Sequence, residues 1–201
     1  MIISIALYHI DSPLPRVEAR SISRELLEAL LRKNGITLYA PLEIERDEHG
    51  RPFPKDPYLR SLLDFNVSHT ANTVAVALAV REKDGEAPRI GIDVEIPHPR
   101  IRKLSLAERF FTENEQSLLR SSMQLDEDFL HIWTRKEAYL KYLGTGLAGQ
   151  MQSADTTCPE SLSVTLETYP LTGTDAMLSL CLPEGVSPPK AEDFLVFREI
   201  P

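Results

Sequence analysis

Two short stretches hold residues whose types and spacing can do chemistry together. Trp133-Thr134-Arg135-Lys136-Glu137-Ala138-Tyr139-Leu140-Lys141 places a carboxylate and an ammonium four residues apart, and Gly91-Ile92-Asp93-Val94-Glu95 places two carboxylates two residues apart. Side chains at i and i+4 share a helix face, and those at i and i+2 share a strand face. If the helix meets that strand face, Asp93, Glu95 and Glu137 converge with Lys141. Hard oxygen donors beside a cation suit a magnesium ion holding a phosphorylated substrate, because that metal takes few protein ligands and completes its shell with phosphate and water.

Each group also has a plainer reading. Glu137 and Lys141 alone would be a surface pair worth about 0.3–0.5 kcal/mol. Asp93 and Glu95 would suit the wet face of an edge strand, although like charges on one strand face repel and a cation between them would relieve that. Lys136 falls towards the apolar side of the helix and so needs a partner. Ser68 and His69 are neighbours, but no Gly-x-Ser-x-Gly elbow is present. Adjacent strand residues also point to opposite faces, so the two are poorly placed to pair. His69 reads as a phosphate contact or as a satisfied core histidine. Arg51, in Gly50-Arg51-Pro52, sits on a rigid turn that suits a phosphate or no ligand at all. Arg16, Arg20 and Arg24 are spaced by four, and Arg100, Arg102 and Lys103 cluster. Both groups read as solvated surface or as a site for phosphate or an acidic partner.

The elements that must position these residues follow from periodicity and breakers. Met1 to Leu7 reads as a buried first strand, lacking the basic leader and cleavage site of a signal peptide. After Asp11-Ser12-Pro13-Leu14-Pro15, apolar residues Ile22, Leu26, Leu27, Leu30 and Leu31 recur at helical spacing up to Asn34-Gly35. A short strand is expected at Leu42 to Ile44 and a turn at His49 to Pro52. Phe65 to Thr70 leads into the buried strand Thr73 to Val80. Arg81 to Pro88 reads as a linker. Arg89 to Glu95 is a strand with Ile90, Ile92 and Val94 on one face and Asp93 and Glu95 on the other. Helices are expected around Leu104 to Phe111, from a capping box at Thr112 and Glu115 through Leu119, and from Asp126 to Leu143, closed by Gly144. Alternating runs between Leu162 and Phe197 read as strands. The fold class is α+β in two parts of similar layout, residues 1–87 and 88–201, the second carrying the carboxylates.

At 201 residues, 42% hydrophobic and 26% charged, the chain can bury a proper core. No apolar run approaches the ~20 residues of a membrane span, so no membrane association and a cytoplasmic location are expected. A net charge of −8 argues against a nucleic-acid partner. Cys158 and Cys181 fit no metal-ligand spacing and read as packing or surface residues.

Together these motifs resemble the 4′-phosphopantetheinyl transferases of the surfactin-synthetase-activating type. The matching pieces stand in the family's order: Gly50-Arg51-Pro52, Phe65 to Thr70, Gly91 to Glu95, Phe110-Phe111-Thr112 with Glu115, and Trp133-Thr134-x-Lys136-Glu137-Ala138-x-x-Lys141 followed by Gly144-x-Gly146-Leu147. The resemblance implies a monomer of two pseudo-symmetric α/β halves, a pseudo-dimer with its site in the cleft between them. It implies transfer of the phosphopantetheine arm of coenzyme A to a serine of an apo acyl or peptidyl carrier protein, leaving 3′,5′-ADP. It further implies magnesium on Asp93, Glu95 and Glu137, phosphate contacts from Lys141 and His69, Ser68 near the nucleotide, and Arg51 in the 3′-phosphate region. Glu137 would be the general base, directly or through a metal-bound water held by Glu95. The basic groups at Arg16, Arg20 or Arg24 can serve the 3′-phosphate. Arg100, Arg102 and Lys103, or the apolar side chains around Phe110 and Phe111, can serve the carrier. The alternatives are a non-catalytic module binding coenzyme A or the carrier, and a magnesium-dependent phosphohydrolase.

Overall fold

The structure, a computed structural model, describes residues 1–82, 89–146 and 151–199. Most of the expected linker, the boundary at 87/88 and Leu147 lie outside the described residues. The elements run β1 (Ile2–His9), α1 (Arg16–Lys33), β2 (Ile44–Arg46), β3 (Pro52–Pro54), α2 (Pro57–Leu62), β4 (Leu63–His69) and β5 (Thr73–Val80), then β6 (Gly91–Glu95), α3 (Lys103–Phe110), α4 (Glu113–Ser121), α5 (Leu125–Leu143), β7 (Val164–Pro170), β8 (Met177–Pro183) and β9 (Leu195–Phe197). The class is α+β.

Strand alternation decides how these stack. In β5, Val74, Val76, Leu78 and Val80 face α1, where they join Ile22, Leu26, Leu27 and Leu30. Ala75, Ala77 and Ala79 face the other way, against Ile90, Ile92, Val94, Leu178 and Leu180. Small side chains on that face let the sheet β4-β5-β1-β9 lie against the sheet β6-β8-β7. Helix α5 covers the outer face of the second sheet, with Ala138 against Val164, Leu166 and Cys181. The layers are therefore helix, sheet, sheet, helix. Each buried Leu or Val contributes about 1.5–3 kcal/mol.

The short early strand falls at Ile44–Arg46, two residues later than expected, paired with Pro52–Pro54 across the Arg51 turn. Leu162 lies in a 3-10 turn instead of a strand. The last strand, β9, pairs in parallel with β1, returning the C-terminal part of the chain to the first sheet. Phe111 is buried at 1% exposure, stacked on Phe129 beside Trp133 in the core of α3, α4 and α5. It cannot serve as a carrier-docking side chain as expected: three converging helices need an aromatic filler there.

Candidate functional site

The two sheets meet along β4 and β6 through side chains rather than a strand ladder. The period of two along β4 sends Asp64, Asn66 and Ser68 to one face, and Thr70 continues that line. Asp64 Oδ2 accepts from the Ile90 N–H at 2.9 Å and Asn66 Oδ1 from the Ile92 N–H at 3.1 Å. Further along, Ser68 Oγ donates to Asp93 Oδ1 at 2.8 Å and Thr70 Oγ1 reaches Glu95 Oε2 at 3.4 Å. This row fixes the depth and rotation of both acidic side chains.

Helix α5 crosses β6 at Gly91. A Cβ there would stand 2.5 Å from the Tyr142 nitrogen and closer still to the Ala138 carbonyl, so only glycine permits this approach. The approach brings Lys141 Nζ to 2.8 Å from Asp93 Oδ1 and 2.9 Å from Ser68 Oγ. Glu137, one turn earlier, joins the same electrostatic cluster. Burial, then the Asp93 charge, push its carboxyl up to about 7, with Lys141 opposing. Glu95 is pushed up to about 7 by burial first, then by Asp93, with Glu137 adding to the rise. Asp93 itself is buried, and its Oδ2 accepts no hydrogen bond among the described residues.

Beside this cluster, reached through Glu137 and Lys141, opens a cavity of about 1030 Å³. Its walls carry Arg16, Arg20 and Arg24 from α1, Arg46, His49 and Arg51 from the β2–β3 hairpin, His69, Glu137 and Lys141. Glu137 is the sole carboxylate lining it among the described residues, in a chain of net charge −8. Arg16 and Arg20 lie close enough to His69 that, after burial and Lys141, they help hold its imidazole below the usual pKa. Such a cavity has the size and charge to take a polyphosphorylated, nucleotide-sized ligand.

The expected set thus assembles: Asp93, Glu95, Glu137, Lys141, Ser68 and His69 share one region. Among the described residues no three His, Cys, Asp or Glu side chains stand together as a ready metal cage. Arg51 lines the cavity, but its guanidinium turns inward. It donates to Asp64 Oδ2 at 2.5 Å, to the Ile90 carbonyl at 2.8 Å and to the Lys141 carbonyl. Lys136 finds the partner its position demands. It pairs with Glu115 at 2.7 Å, both side chains fully buried, and donates to the Met151 and Ala154 carbonyls. Glu115 also closes the capping box at Thr112 and accepts from Thr156. Sequence reasoning missed Asp64, Arg46, His49 and Arg89; the polar alternation Asp64, Asn66, Ser68 along β4 was the readable signal for the first.

The model of the 4′-phosphopantetheinyl transferase superfamily matches residues 89–185. The 4′-phosphopantetheinyl transferase AcpT of Escherichia coli O157:H7 is 36% identical over 156 residues, which cover 75% of this chain and 69% of that protein. The 4′-phosphopantetheinyl transferase HetI of Nostoc sp. is 38% identical over 109 residues, 53% of this chain and 44% of that protein. The 4′-phosphopantetheinyl transferase ffp of Bacillus subtilis is 31% identical over 131 residues, 64% of this chain and 53% of that protein. The chain belongs to the 4′-phosphopantetheinyl transferase superfamily. It spans about half the length of several of the relatives it matches, HetI and ffp among them.

Proposed function

We propose that this protein transfers the 4′-phosphopantetheine arm of coenzyme A to a serine hydroxyl of an apo carrier protein, releasing 3′,5′-ADP. The observation that carries this reading is the grouping of Asp93 and Glu95 with Glu137 and Lys141, the last two of which line a basic cavity.

Magnesium would be held by Asp93, Glu95 and Glu137. Two features of the chain fit it: the buried Asp93 Oδ2, without a hydrogen-bond partner among the described residues, and an Asp93 charge near enough to push up the carboxyls of both Glu95 and Glu137. When bound, the metal supplies charge neutralisation on the pyrophosphate oxygens. Lys141 adds a second positive charge where the leaving phosphate develops negative charge, already oriented by Ser68 and Asp93. His69, held below its usual pKa, contacts phosphate as a neutral donor. Glu137 accepts the serine proton. Its carboxyl lines the cavity one helical turn from Lys141, where a serine hydroxyl brought to the phosphate would meet it.

The side chains of Arg16 and Arg20 make no hydrogen bond or ion pair among the described residues, which leaves both guanidinium groups for the 3′-phosphate. The carrier docks beside Arg100 and Arg102, where Ile101 and Leu104 are 39% and 46% exposed. Lys103 has a smaller part, since it pairs with Asp126. We further read residues 1–87 and 88–201 as pseudo-twofold related halves of a monomer acting in the cytoplasm. No helix among the described residues is long and apolar enough to cross a membrane.

The test is intact-mass spectrometry of an apo acyl carrier protein incubated with this chain, coenzyme A and magnesium. A mass gain of one phosphopantetheine arm, abolished by chelator and by Glu137→Gln, is the expected result. Coenzyme A bound without carrier labelling would favour the binding-module reading. Coenzyme A cleaved without labelling would favour a hydrolase.

A further inference from the structure

The last turn of α5 ends in an unusual way. An α-helix leaves its last four carbonyls without helical partners. Here every one is accounted for. The Leu140 carbonyl accepts from the Gly144 N–H at 2.9 Å, closing the turn through the left-handed Gly144 at φ 74°. The Lys141 carbonyl accepts from Arg51, while the Tyr142 and Leu143 carbonyls accept from Nε and Nη2 of Arg89. Gly144 makes room for Arg89, and Arg51 lies at ordinary contact distance beside it. A Cβ there would meet Arg89 Nη2 at 2.6 Å and Arg51 Cδ at 3.8 Å. Two guanidinium groups at a helix C-terminus also complement the partial negative charge of the helix dipole.

Neither arginine belongs to α5, and each ties it to a different place. Arg51 comes from the β2–β3 turn, a turn braced by Asp47 Oδ1, which accepts from the N–H groups of His49 and Arg51. Its side chain is 10% exposed, and the guanidinium reaches Asp64 on β4, the Ile90 carbonyl before β6 and the Lys141 carbonyl on α5. Asp64 in turn accepts from the Ile90 N–H. Burial raises the Asp64 carboxyl, and Arg51, the Ile90 N–H and Arg89 oppose that rise. The anchored residue, Lys141, is the one whose ammonium bonds Asp93 and Ser68.

We infer that Arg51, oriented by Asp64, together with Arg89, acts as a positioning clamp on the α5 C-terminus that sets where the Lys141 ammonium lies. Arg51 thus works through the Lys141 backbone and is not a direct ligand of the 3′-phosphate. The guanidinium divides its donors between two nitrogens, Nη1 to the Lys141 carbonyl and Nη2 to Asp64 and the Ile90 carbonyl, a planar spread that the single nitrogen of lysine does not reproduce at position 51. This rests on the transferase reading for its kinetic consequence, but not for its structural one.

The experiment compares the full chain with Asp64→Asn, Arg51→Met, Arg51→Lys and Arg89→Met. Asp64→Asn keeps shape and touches no ligand. Three quantities are read: hydrogen exchange of the stretch 138–144, coenzyme A affinity by calorimetry, and transfer rate at saturating coenzyme A. Losing a charge-assisted bond to the helix end predicts about tenfold faster exchange in 138–144 for every variant. Coenzyme A affinity should stay within about threefold, while turnover falls about tenfold or more, as misplacement of a catalytic group implies. Asp64→Asn should match Arg51→Met, and Arg51→Lys should not rescue. The inference is overturned if Arg51→Met weakens coenzyme A more than about tenfold while Asp64→Asn binds and exchanges like the parent. A parent chain that labels no carrier sinks the transferase reading alone, because exchange and affinity still decide the clamp.

Discussion

Replacing Gly91 by alanine tests the geometry on which the site depends. The new Cβ would lie 2.5 Å from the Tyr142 nitrogen, whereas ordinary contact begins at 3.4 Å, so α5 must retreat from β6 by at least 0.9 Å. The Ala138 carbonyl, closer still, demands more. Both neighbours are helix backbone and cannot rotate aside. Moving α5 by about an ångström carries Glu137 and Lys141 with it, and stretches the 2.8 Å bond from Lys141 to Asp93 to about 3.7 Å, past hydrogen-bonding range. Overpacking of this kind costs about 1–3 kcal/mol, which lowers Tm by about 2–12 °C for a chain of this size. A misplacement of that size can lower the rate about 100-fold. The expected outcome of Gly91→Ala is a folded protein with a modest loss of Tm and a turnover loss far larger than its unfolded fraction explains. Thermal unfolding and carrier labelling at saturating coenzyme A measure the two. Turnover equal to the parent's, with Tm unchanged, would refute the claim that close backbone contact at residue 91 assembles the site.

Lys136→Met leaves the Glu115 carboxylate buried without its cation and orphans the Met151 and Ala154 carbonyls. A loss of about 3–5 kcal/mol is expected in urea unfolding, and a loss below about 1 kcal/mol would mean the pair is not buried in solution. Glu95 and Glu137 titrate near 7, above their ordinary 4.5, so the folded, metal-free chain holds more protons than the unfolded chain between those values. Their contribution to stability is therefore present at low pH and lost as pH rises through that window. Urea midpoints of the parent should fall relative to a Glu95→Gln, Glu137→Gln double variant as pH climbs, and a parallel pair of curves would contradict the shifts. Arg16→Gln and Arg20→Gln should each weaken coenzyme A but leave dephospho-coenzyme A unaffected. Equal losses for both ligands would place these arginines away from the 3′-phosphate.

The sequence by itself determined which residues share a face. Period two put Asp93 with Glu95, period four put Glu137 near Lys141, and the inward lean of Lys136 demanded a buried partner. Local rules of this kind act over a few residues and need no knowledge of the rest of the chain. The capping box at Thr112 and Glu115 and the stop at Gly144 were legible for the same reason.

Only the tertiary structure decided what those faces meet. That α5 lies on β6 depends on Gly91 facing Ala138 and Tyr142, forty-seven and fifty-one residues further on, and no local pattern encodes that partner. The spacing of Arg16, Arg20 and Arg24 fitted a wet helix face equally well until the β2–β3 hairpin closed a cavity over them. Arg51 looked free on its turn, but Asp64, Ile90 and Lys141 claim its donors from three other elements. Phe111 fitted an apolar surface patch with Phe110 as far as local pattern went, and three helices closed around it. Periodicity names the side of an element that is buried or polar. The partner on that side is chosen by packing between distant segments, where fit and charge balance are settled for the whole chain at once.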